Sequence, residues 1–206
     1  MPPPGAGVSL YELLRQRRMV RHYSGERIPR DVLERVVATV RRAPSAGFSQ
    51  GQRLLVVDDP ELLVQIAADA DEGNEAEPWF ASAAAHVLVL TREQDYHDRY
   101  TSPDKLDATG GSEIVWPVPY WHVDAGAALM LVLLAAIEEG LAGGVYGIQL
   151  EDQPRWRELL RIPEELAIVA GITLGYPAPD PEWSKRTSRA TQRRRTIDEQ
   201  VHWNRW

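Results

Sequence analysis

The sequence predicts a layered domain of the α+β class, with an α/β arrangement as the alternative. Three short apolar runs, at 54–57, 86–90 and 167–174, are typical of buried strands. Segments with apolar residues at helical spacing separate these runs, and that alternation favours helices packed in layers against a sheet. A chain of 206 residues, 44% of them hydrophobic, is long enough to fill one core.

Helix signals are clearest in the first third of the chain. Ser9 and Glu12 form a capping-box pattern, which predicts a helix that begins at Leu10. Pro29 opens a second segment of helical periodicity, and Pro44 ends it. Another helix is expected to follow Pro60.

The middle of the chain is harder to assign. Residues 92–120 show no periodicity and are expected to form an irregular loop, which in a compact domain is usually functional or mobile. Asp124 is predicted to cap the most apolar helix, which runs to about Glu139 and should be buried and central. The glycine-rich segment 143–147 is predicted to be a flexible turn.

The two ends of the chain differ from the rest. Residues 1–7 are rich in Pro and Gly and are expected to form a flexible tail, and residues 8–206 are expected to form a single domain. The segment beyond Pro177 has too few apolar residues for a core of its own. Tails of this kind often wrap a second subunit, and a symmetric dimer is the commonest assembly.

Composition excludes several classes of function. The net charge of −7 argues against a nucleic-acid binder, and the absence of cysteine excludes thiolate chemistry. No secretory signal is visible, and the apolar stretch 125–137 is too short to cross a bilayer, so we expect a cytoplasmic protein that does not enter a membrane. The five histidines lack metal-site spacing, and no metal is expected. Asp95, His97 and Asp98 are more readily explained as a solvated cluster than as ligands.

Four segments could contact a ligand, and each also has an ordinary explanation. Arg17, Arg18 and Arg21 suit a phosphate but equally a solvated basic face. Residues 43–50 form either a simple turn or a loop that presents backbone amides to a ligand. The glycines of 140–147 follow a helix, so they do not form a dinucleotide fingerprint. Residues 193–195 are three arginines typical of a solvated tail, with Lys185, Arg186 and Arg189 upstream.

Taken together, these segments carry a resemblance to a known family. In order they read RRMVR, about 20 residues of helix, APSAGFSQ, a strand, a central helix that ends in GLAGG, a strand that closes in GYP, and a basic tail that ends in HWNRW. The sequence from about Leu10 to Trp206 resembles the FMN-dependent nitroreductase family, and the final HWNRW is similar to actinobacterial-type members. The resemblance implies an α+β sandwich with a central mixed or antiparallel sheet flanked by helices, and a homodimer whose C-terminal tails wrap the partner.

The resemblance also implies a set of cofactor-binding residues. The first group would contact the phosphate, ribityl chain and pyrimidine edge of FMN: Arg17, Arg18, Arg21 and, through its backbone, Met19. The second group would approach the flavin from the other subunit: Pro44, Ser45, Ala46, Phe48 and Ser49. The third group would pass beside the flavin ring: Gly144, Val145, Tyr146 and Gly147. The fourth group would add phosphate contacts: Arg193, Arg194 and Arg195.

The chemistry that this family implies takes place on flavin N5, so no protein side chain is assigned as catalytic. NADH or NADPH would reduce the flavin, and a nitroaromatic, quinone or similar conjugated acceptor would reoxidise it in a ping-pong cycle. Alternatives are a specialised member (a benzimidazole synthase, a metabolite dehydrogenase or a reductive dehalogenase), a non-catalytic flavin-binding protein, or a member that uses deazaflavin. The aromatic residues Trp116, Tyr120 and Trp121 suit either a substrate lid or core packing.

Three positions depart from the family pattern. Met19 stands where Ser is usual, Phe48 stands where Asn is usual, and Gly51 replaces a common Pro. We expect Phe48 to pack against the flavin or to narrow the substrate pocket. The change at Gly51 is expected to be harmless.

Overall fold

The computed structural model describes residues 8–71, 79–179 and 193–206. The predicted N-terminal tail at 1–7 and the basic residues Lys185, Arg186 and Arg189 lie outside these ranges. Within them the α+β class is confirmed: seven α-helices surround one four-stranded sheet.

The sheet is antiparallel, and its strands lie in the order β1-β2-β4-β3. The strands are β1 (Gln52–Val57), β2 (Ala85–Thr91), β3 (Ala142–Tyr146) and β4 (Ala167–Gly175). Three of the four were predicted. The prediction of a flexible turn at 143–147 is wrong, because pairing with β4 draws this glycine-rich segment into the sheet despite its low strand propensity.

The helices are α1 (Leu10–Gln16), α2 (Arg30–Ala38), α3 (Pro60–Asp71), α4 (Gln94–Tyr100), α5 (Pro103–Thr109), α6 (Tyr120–Glu138) and α7 (Gln153–Leu160). On one face of the sheet, side chains of α2 and α6 such as Leu33 and Val132 form the larger core with Val87 and Ile172. On the other face, Ile66 of α3 and Trp156 of α7 pack around Leu88 and Tyr146. The alternation of strand side chains between the faces therefore produces a three-layer sandwich.

The N-terminal half follows its sequence signals closely. Ser9 accepts a hydrogen bond from the backbone N–H of Glu12 at 3.2 Å and caps α1. Pro29 occupies the N-cap position of α2, which continues into a 3₁₀ turn at Thr39–Arg42 before Pro44. A second 3₁₀ turn, Ala46–Phe48, precedes β1.

Helix α6 begins earlier than predicted, and Asp124 does not cap it. The helix starts at Tyr120, directly after Pro119, and Asp124 lies in its second turn with its carboxylate buried. By length and apolar composition alone, α6 could cross a bilayer. It packs instead along the sheet, although one side of it, including Val123 and Met130, remains exposed on the subunit surface.

Two other regions contain helices that periodicity did not reveal. Helices α4 and α5 lie within residues 92–120, which were expected to be irregular, and each is only seven residues long. Helix α7 was also not predicted from the sequence. Pro154 in its first turn and the buried Trp156 are nevertheless typical of a short amphipathic helix. Short helices of this kind depend on tertiary packing rather than on intrinsic propensity.

The described part of the C-terminal tail contacts the body of the subunit little. Residues 193–206 form neither an α-helix nor a strand, and Trp203 and Trp206 are 83% and 99% exposed. A local ion pair joins Arg193 to Glu199 at 2.7 Å. The wrapping of a partner subunit by this tail stays a prediction.

The smaller core holds a buried histidine. His86 is fully buried on β2, and its Nδ1 lies 2.8 Å from the hydroxyl of Tyr146. Its Nε2 is buried and has no hydrogen-bond partner among the described residues. Burial disfavours the charged imidazolium and lowers the pKa of His86 to about 4.

This pKa predicts a specific loss of stability in acid. Because the folded pKa lies below the unfolded value of about 6.5, the unfolded chain binds the proton more readily, and stability falls as the pH drops from about 6.5 to 4. From pH 7.5 to pH 5 we expect His86 to contribute a loss of about 2 kcal/mol. Urea unfolding should show that His86→Gln removes this part of the pH dependence, whereas the exposed His202→Gln should not. An equal slope in wild type and His86→Gln would contradict the assignment.

Candidate functional site

The arginine segment 17–21 runs from the end of α1 along the edge of β3. The backbone N–H of Arg17 caps α1 by donating to the carbonyl of Leu13 at 2.9 Å. The N–H of Val20 donates to the carbonyl of Gly143 at 3.0 Å, and Met19 forms a parallel bridge with the same glycine. The segment is thus fastened to the sheet by its backbone.

Close packing at Gly144 holds this segment in place. A Cβ atom on Gly144 would lie 2.5 Å from the carbonyl oxygen of Val20, so only glycine permits the approach. The Tyr23 hydroxyl donates to that same carbonyl at 2.6 Å and lies 2.7 Å from the hydroxyl of Thr173 on β4. Burial raises the pKa of Tyr23, which therefore remains a neutral donor.

Arg21 carries the clearest sign of a ligand. Its guanidinium lies 5.3 Å from the ring centroid of Trp79, and its Nε is buried without a hydrogen-bond partner in the described ranges. A buried N–H donor of this kind is normally satisfied, and a phosphate or carbonyl oxygen of a bound molecule would satisfy it. The residues present therefore fit a ligand that carries an oxyanion beside a flat ring.

Arg18 lines a neighbouring cleft of about 190 Å³. Gln16, Val20 and Pro177 form its walls together with residues 140–142, which follow the C-terminal end of α6. The negative end of the α6 dipole disfavours an anion there, so Arg21 is the better placed of the two for a phosphate.

The loop 44–49 lies elsewhere on the subunit and is held by a buried carboxylate. Asp124 of α6 is 7% exposed, and its Oδ2 accepts hydrogen bonds from the N–H of Ala46 at 2.9 Å and from the hydroxyl of Tyr96 at 2.8 Å. A buried carboxylate requires such partners, because desolvation without them is costly. The residue predicted to cap a helix thus positions a loop.

Two residues of α4 support the same loop. Arg99 donates from Nε to the carbonyl of Gly47 at 2.8 Å while both of its terminal nitrogens bond to Asp104 at 2.8 Å. The ring of Tyr100 covers Gly47, where a Cβ would lie 2.6 Å from it. Sequence reasoning missed Arg99 and Tyr100 because α4 itself was not recognised.

Gly51 also belongs to this support. A Cβ at this position would lie 2.3 Å from the ring of Tyr96 and 2.9 Å from the carbonyl oxygen of Arg92. The absence of a side chain therefore lets the Tyr96 ring approach β1 and reach Asp124. The replacement of the usual Pro is part of the local packing.

Other candidate residues have different surroundings. The side chain of Tyr146 packs into the core against Phe80 and Trp156, so only its backbone is left for a ligand. Val145 is partly buried and Gly147 is exposed just beyond β3. Arg193, Arg194 and Arg195 are exposed on the tail.

Residues 93–122 contain a cluster of aromatic rings and ion pairs. Asp95 pairs with Arg53 and Arg92, at 2.8 and 2.7 Å. His97 bonds through Nδ1 to Glu113 at 2.6 Å, and this bond raises the pKa of His97. The indole N–H of Trp116 donates to the same carboxylate, and the Trp116 ring packs against Tyr100 at 4.6 Å. The Trp116 ring thus packs against α4.

A match to the model of the Nitroreductase family, which covers residues 14–176, decides the classification. The chain belongs to the nitroreductase family. The resemblance inferred from the arginine segment and the loop 43–50 is confirmed. The matched range includes every described strand and helices α2 to α7.

Curated nitroreductase-family relatives carry different names. The chain is 28% identical over 181 residues to a putative NADH dehydrogenase/NAD(P)H nitroreductase of Archaeoglobus fulgidus, covering 86% of this chain and 91% of the relative. It is 26% identical to an iodotyrosine deiodinase of Nematostella vectensis, over 84% of this chain and 68% of the relative. It is 27% identical to an FMN reductase [NAD(P)H] of Bacillus subtilis, over 80% of this chain and 64% of the relative.

Solved nitroreductase structures have the same fold. A putative NADH dehydrogenase/NAD(P)H nitroreductase of Bacteroides thetaiotaomicron superposes with a TM-score of 0.70 at 20% identity, over 97% of this chain and 99% of the other. An FMN-dependent nitroreductase of Clostridium difficile gives a TM-score of 0.65 at 20% identity, over 94% and 98%. The sandwich predicted from the resemblance is therefore confirmed.

Within this nitroreductase, Gly144 provides a test of how the arginine segment is held. We expect Gly144→Ala to lower stability by about 1–3 kcal/mol, because the added methyl group would overlap the Val20 carbonyl. Gly147→Ala is the matched control, since an added Cβ there meets nothing within 4 Å. Thermal unfolding of both variants checks the prediction, and equal melting temperatures would show that the contact does not constrain residues 17–21.

Proposed function

We propose that this chain is an FMN-dependent NAD(P)H oxidoreductase that reduces a nitroaromatic, quinone or similar flat conjugated acceptor by a ping-pong mechanism. The observation that supports this most directly is at Arg21, which lies beside the ring of Trp79 and whose buried Nε has no hydrogen-bond partner in the part of the chain that the structure describes. The names of the relatives from Archaeoglobus fulgidus and Bacillus subtilis support the reductant and the flavin.

The chain's own residues would bind and orient the cofactor rather than transfer protons. Arg17 and Arg21 would neutralise the phosphate and the electron-rich edge of the flavin, since cations near these groups favour both binding and reduction. Bound FMN would supply hydride acceptance and donation at its N5 atom. The backbone of 144–147 would lie along the ring, while Arg193 to Arg195 would add positive charge near the phosphate.

We propose further that the complete site requires two subunits. The arginine segment is fastened to β3, whereas the loop 44–49 is fastened to α4 and α6. The exposed side of α6 offers an apolar surface that includes Val123 and Met130, and Leu14 of α1 is also exposed. Pairing of these surfaces in a homodimer would bury them and bring the loop of one subunit to the arginines of the other.

Reductive dehalogenation is the second candidate. It is supported by the similarity to the iodotyrosine deiodinase of Nematostella vectensis, which is 26% identical to this chain, against 27% for the FMN reductase of Bacillus subtilis. Both activities would use the same cofactor residues, so the acceptor distinguishes them. A halogenated tyrosine should be consumed only in the second case.

The first experiment is an absorbance spectrum of the purified protein, followed by anaerobic addition of NADH and then of NADPH. Flavin bands that bleach when the nicotinamide is added would support the proposal. Recovery of these bands when a quinone is added next would identify the acceptor class. Bands typical of a deazaflavin would change the cofactor assignment. A colourless protein that does not take up added FMN would overturn the proposed function.

Arginine variants then test the phosphate assignment. We expect Arg21→Ala to weaken FMN binding by about 10- to 100-fold, because a hydrogen bond to a charged group contributes about 1.5–3 kcal/mol. Arg30→Ala is the control, since Arg30 forms an exposed pair with Asp58 and lies outside the proposed site. Binding is measured by titration of FMN fluorescence. Unchanged affinity in Arg21→Ala would contradict the assignment.

The dimer is tested on the exposed side of α6. Met130→Glu should shift the protein toward the 23.2 kDa monomer, because a charge would be placed in an apolar interface. Val64→Glu is the matched control, since Val64 is 69% exposed on α3, on the other side of the sheet. Sedimentation at micromolar protein concentration distinguishes the monomer from the dimer in each variant. A monomeric wild type would refute the two-subunit site.

A further inference from the structure

Phe48 has an unusual backbone conformation for its residue type. Its φ angle is +63°, and the neighbouring Gly47 and Gln50 have φ angles of +59° and +53°. Glycine adopts this left-handed region without cost, but a bulky residue does so only with strain. Strain of this kind persists where surrounding contacts impose it, and it is concentrated at functional sites.

The ring of Phe48 contributes little to the stability of its own subunit. The residue is 74% exposed, so burial of the ring within the subunit does not offset the strained backbone. An exposed phenylalanine on a strained backbone does not stabilise the folded state of the subunit. Contacts of the loop backbone must therefore stabilise this conformation, and the exposed ring is available for a role other than folding.

Backbone contacts supply the support. The Phe48 N–H donates to the carbonyl of Ser45 at 2.9 Å, and the Ser45 hydroxyl accepts from the N–H of Gln50 at 3.0 Å. Arg99 and Tyr100 hold Gly47 from one side, as described above. Asp124 holds Ala46 from the other side. The loop is fixed at each end, and the direction of the Cα–Cβ bond of Phe48 is fixed with it.

We propose that Phe48 is a specificity-determining residue whose ring forms a rigid stacking wall for flat aromatic acceptors, with Asp124 and Arg99 as the positioning residues behind it. This inference rests on the proposed function, because the wall is useful only beside a site that admits such acceptors. Stacking on the ring would cost little backbone conformational freedom, since the loop is already ordered. Stacking between aromatic rings would then favour planar acceptors over compact, non-planar ones.

The test separates backbone strain from ring stacking by three substitutions. Phe48→Asn removes the ring and relieves the strain, because asparagine tolerates the left-handed region. Phe48→Leu removes the ring but keeps the strain, and Phe48→Tyr keeps both. We expect Phe48→Asn alone to raise the melting temperature, by about 2–4 °C.

Kinetics with two acceptors test the stacking wall. The probes are 1,4-naphthoquinone, which is flat and aromatic, and ferricyanide, an octahedral anion that cannot stack. We expect both Phe48→Asn and Phe48→Leu to raise the KM for naphthoquinone relative to that for ferricyanide by about 3- to 10-fold, since aromatic stacking contributes about that factor. Phe48→Tyr should retain the wild-type ratio.

The outcomes distinguish this inference from the proposed function. Flavin occupancy is measured by absorbance for each variant. If flavin is retained but Phe48→Leu leaves the acceptor ratio unchanged, the stacking wall is refuted while the oxidoreductase assignment stands. A lower melting temperature in Phe48→Asn would also refute it, because the ring would then act in subunit packing. A colourless wild type would instead overturn the proposed function.

Discussion

The buried carboxylate of Asp124 joins three parts of this molecule that are distant in sequence. It lies on the central helix α6, and its Oδ2 bonds both to the loop that carries Phe48 and to Tyr96 of α4. A carboxylate in a core is stable only when its desolvation is offset by hydrogen bonds, so the position of the loop and that of α4 depend on each other. Gly51 completes the arrangement by leaving space for the Tyr96 ring.

The second constraint is the close approach of residues 17–21 to β3. Gly144 permits contact with the Val20 carbonyl, and Tyr23 and Thr173 close the same contact with their hydroxyl groups. The arginine segment and the Phe48 loop are thus each rigidly supported, but by different elements. This separation of the two supports is the physical reason for our proposal that the cofactor lies between two copies of the chain.

Gly144 and Phe48 differ in how well the residue type suits its backbone conformation. At Gly144 the sequence uses a residue that fits, so the arginine segment is positioned with no backbone strain. At Phe48 it uses a residue that does not suit its conformation, and a network of hydrogen bonds maintains it there. Backbone strain at an exposed, bulky residue such as Phe48 is more often found at functional sites than at positions that serve folding alone.

Sequence alone was sufficient for the family, the fold class, three of the four strands and the helices with strong capping or proline signals. These features are local, because hydrophobic periodicity and cap residues act within a few positions along the chain. Tertiary structure decided the rest. The glycine-rich 143–147 segment became β3 through pairing with β4, and Asp124 became the buried partner of Ala46 and Tyr96 rather than a helix cap. Helix α4, which packs against the loop 44–49, and the role of Gly51 also depend on residues far away in sequence. Such contacts leave no periodic signal in a single sequence, since each is a match between two distant segments, and only the folded chain brings them together.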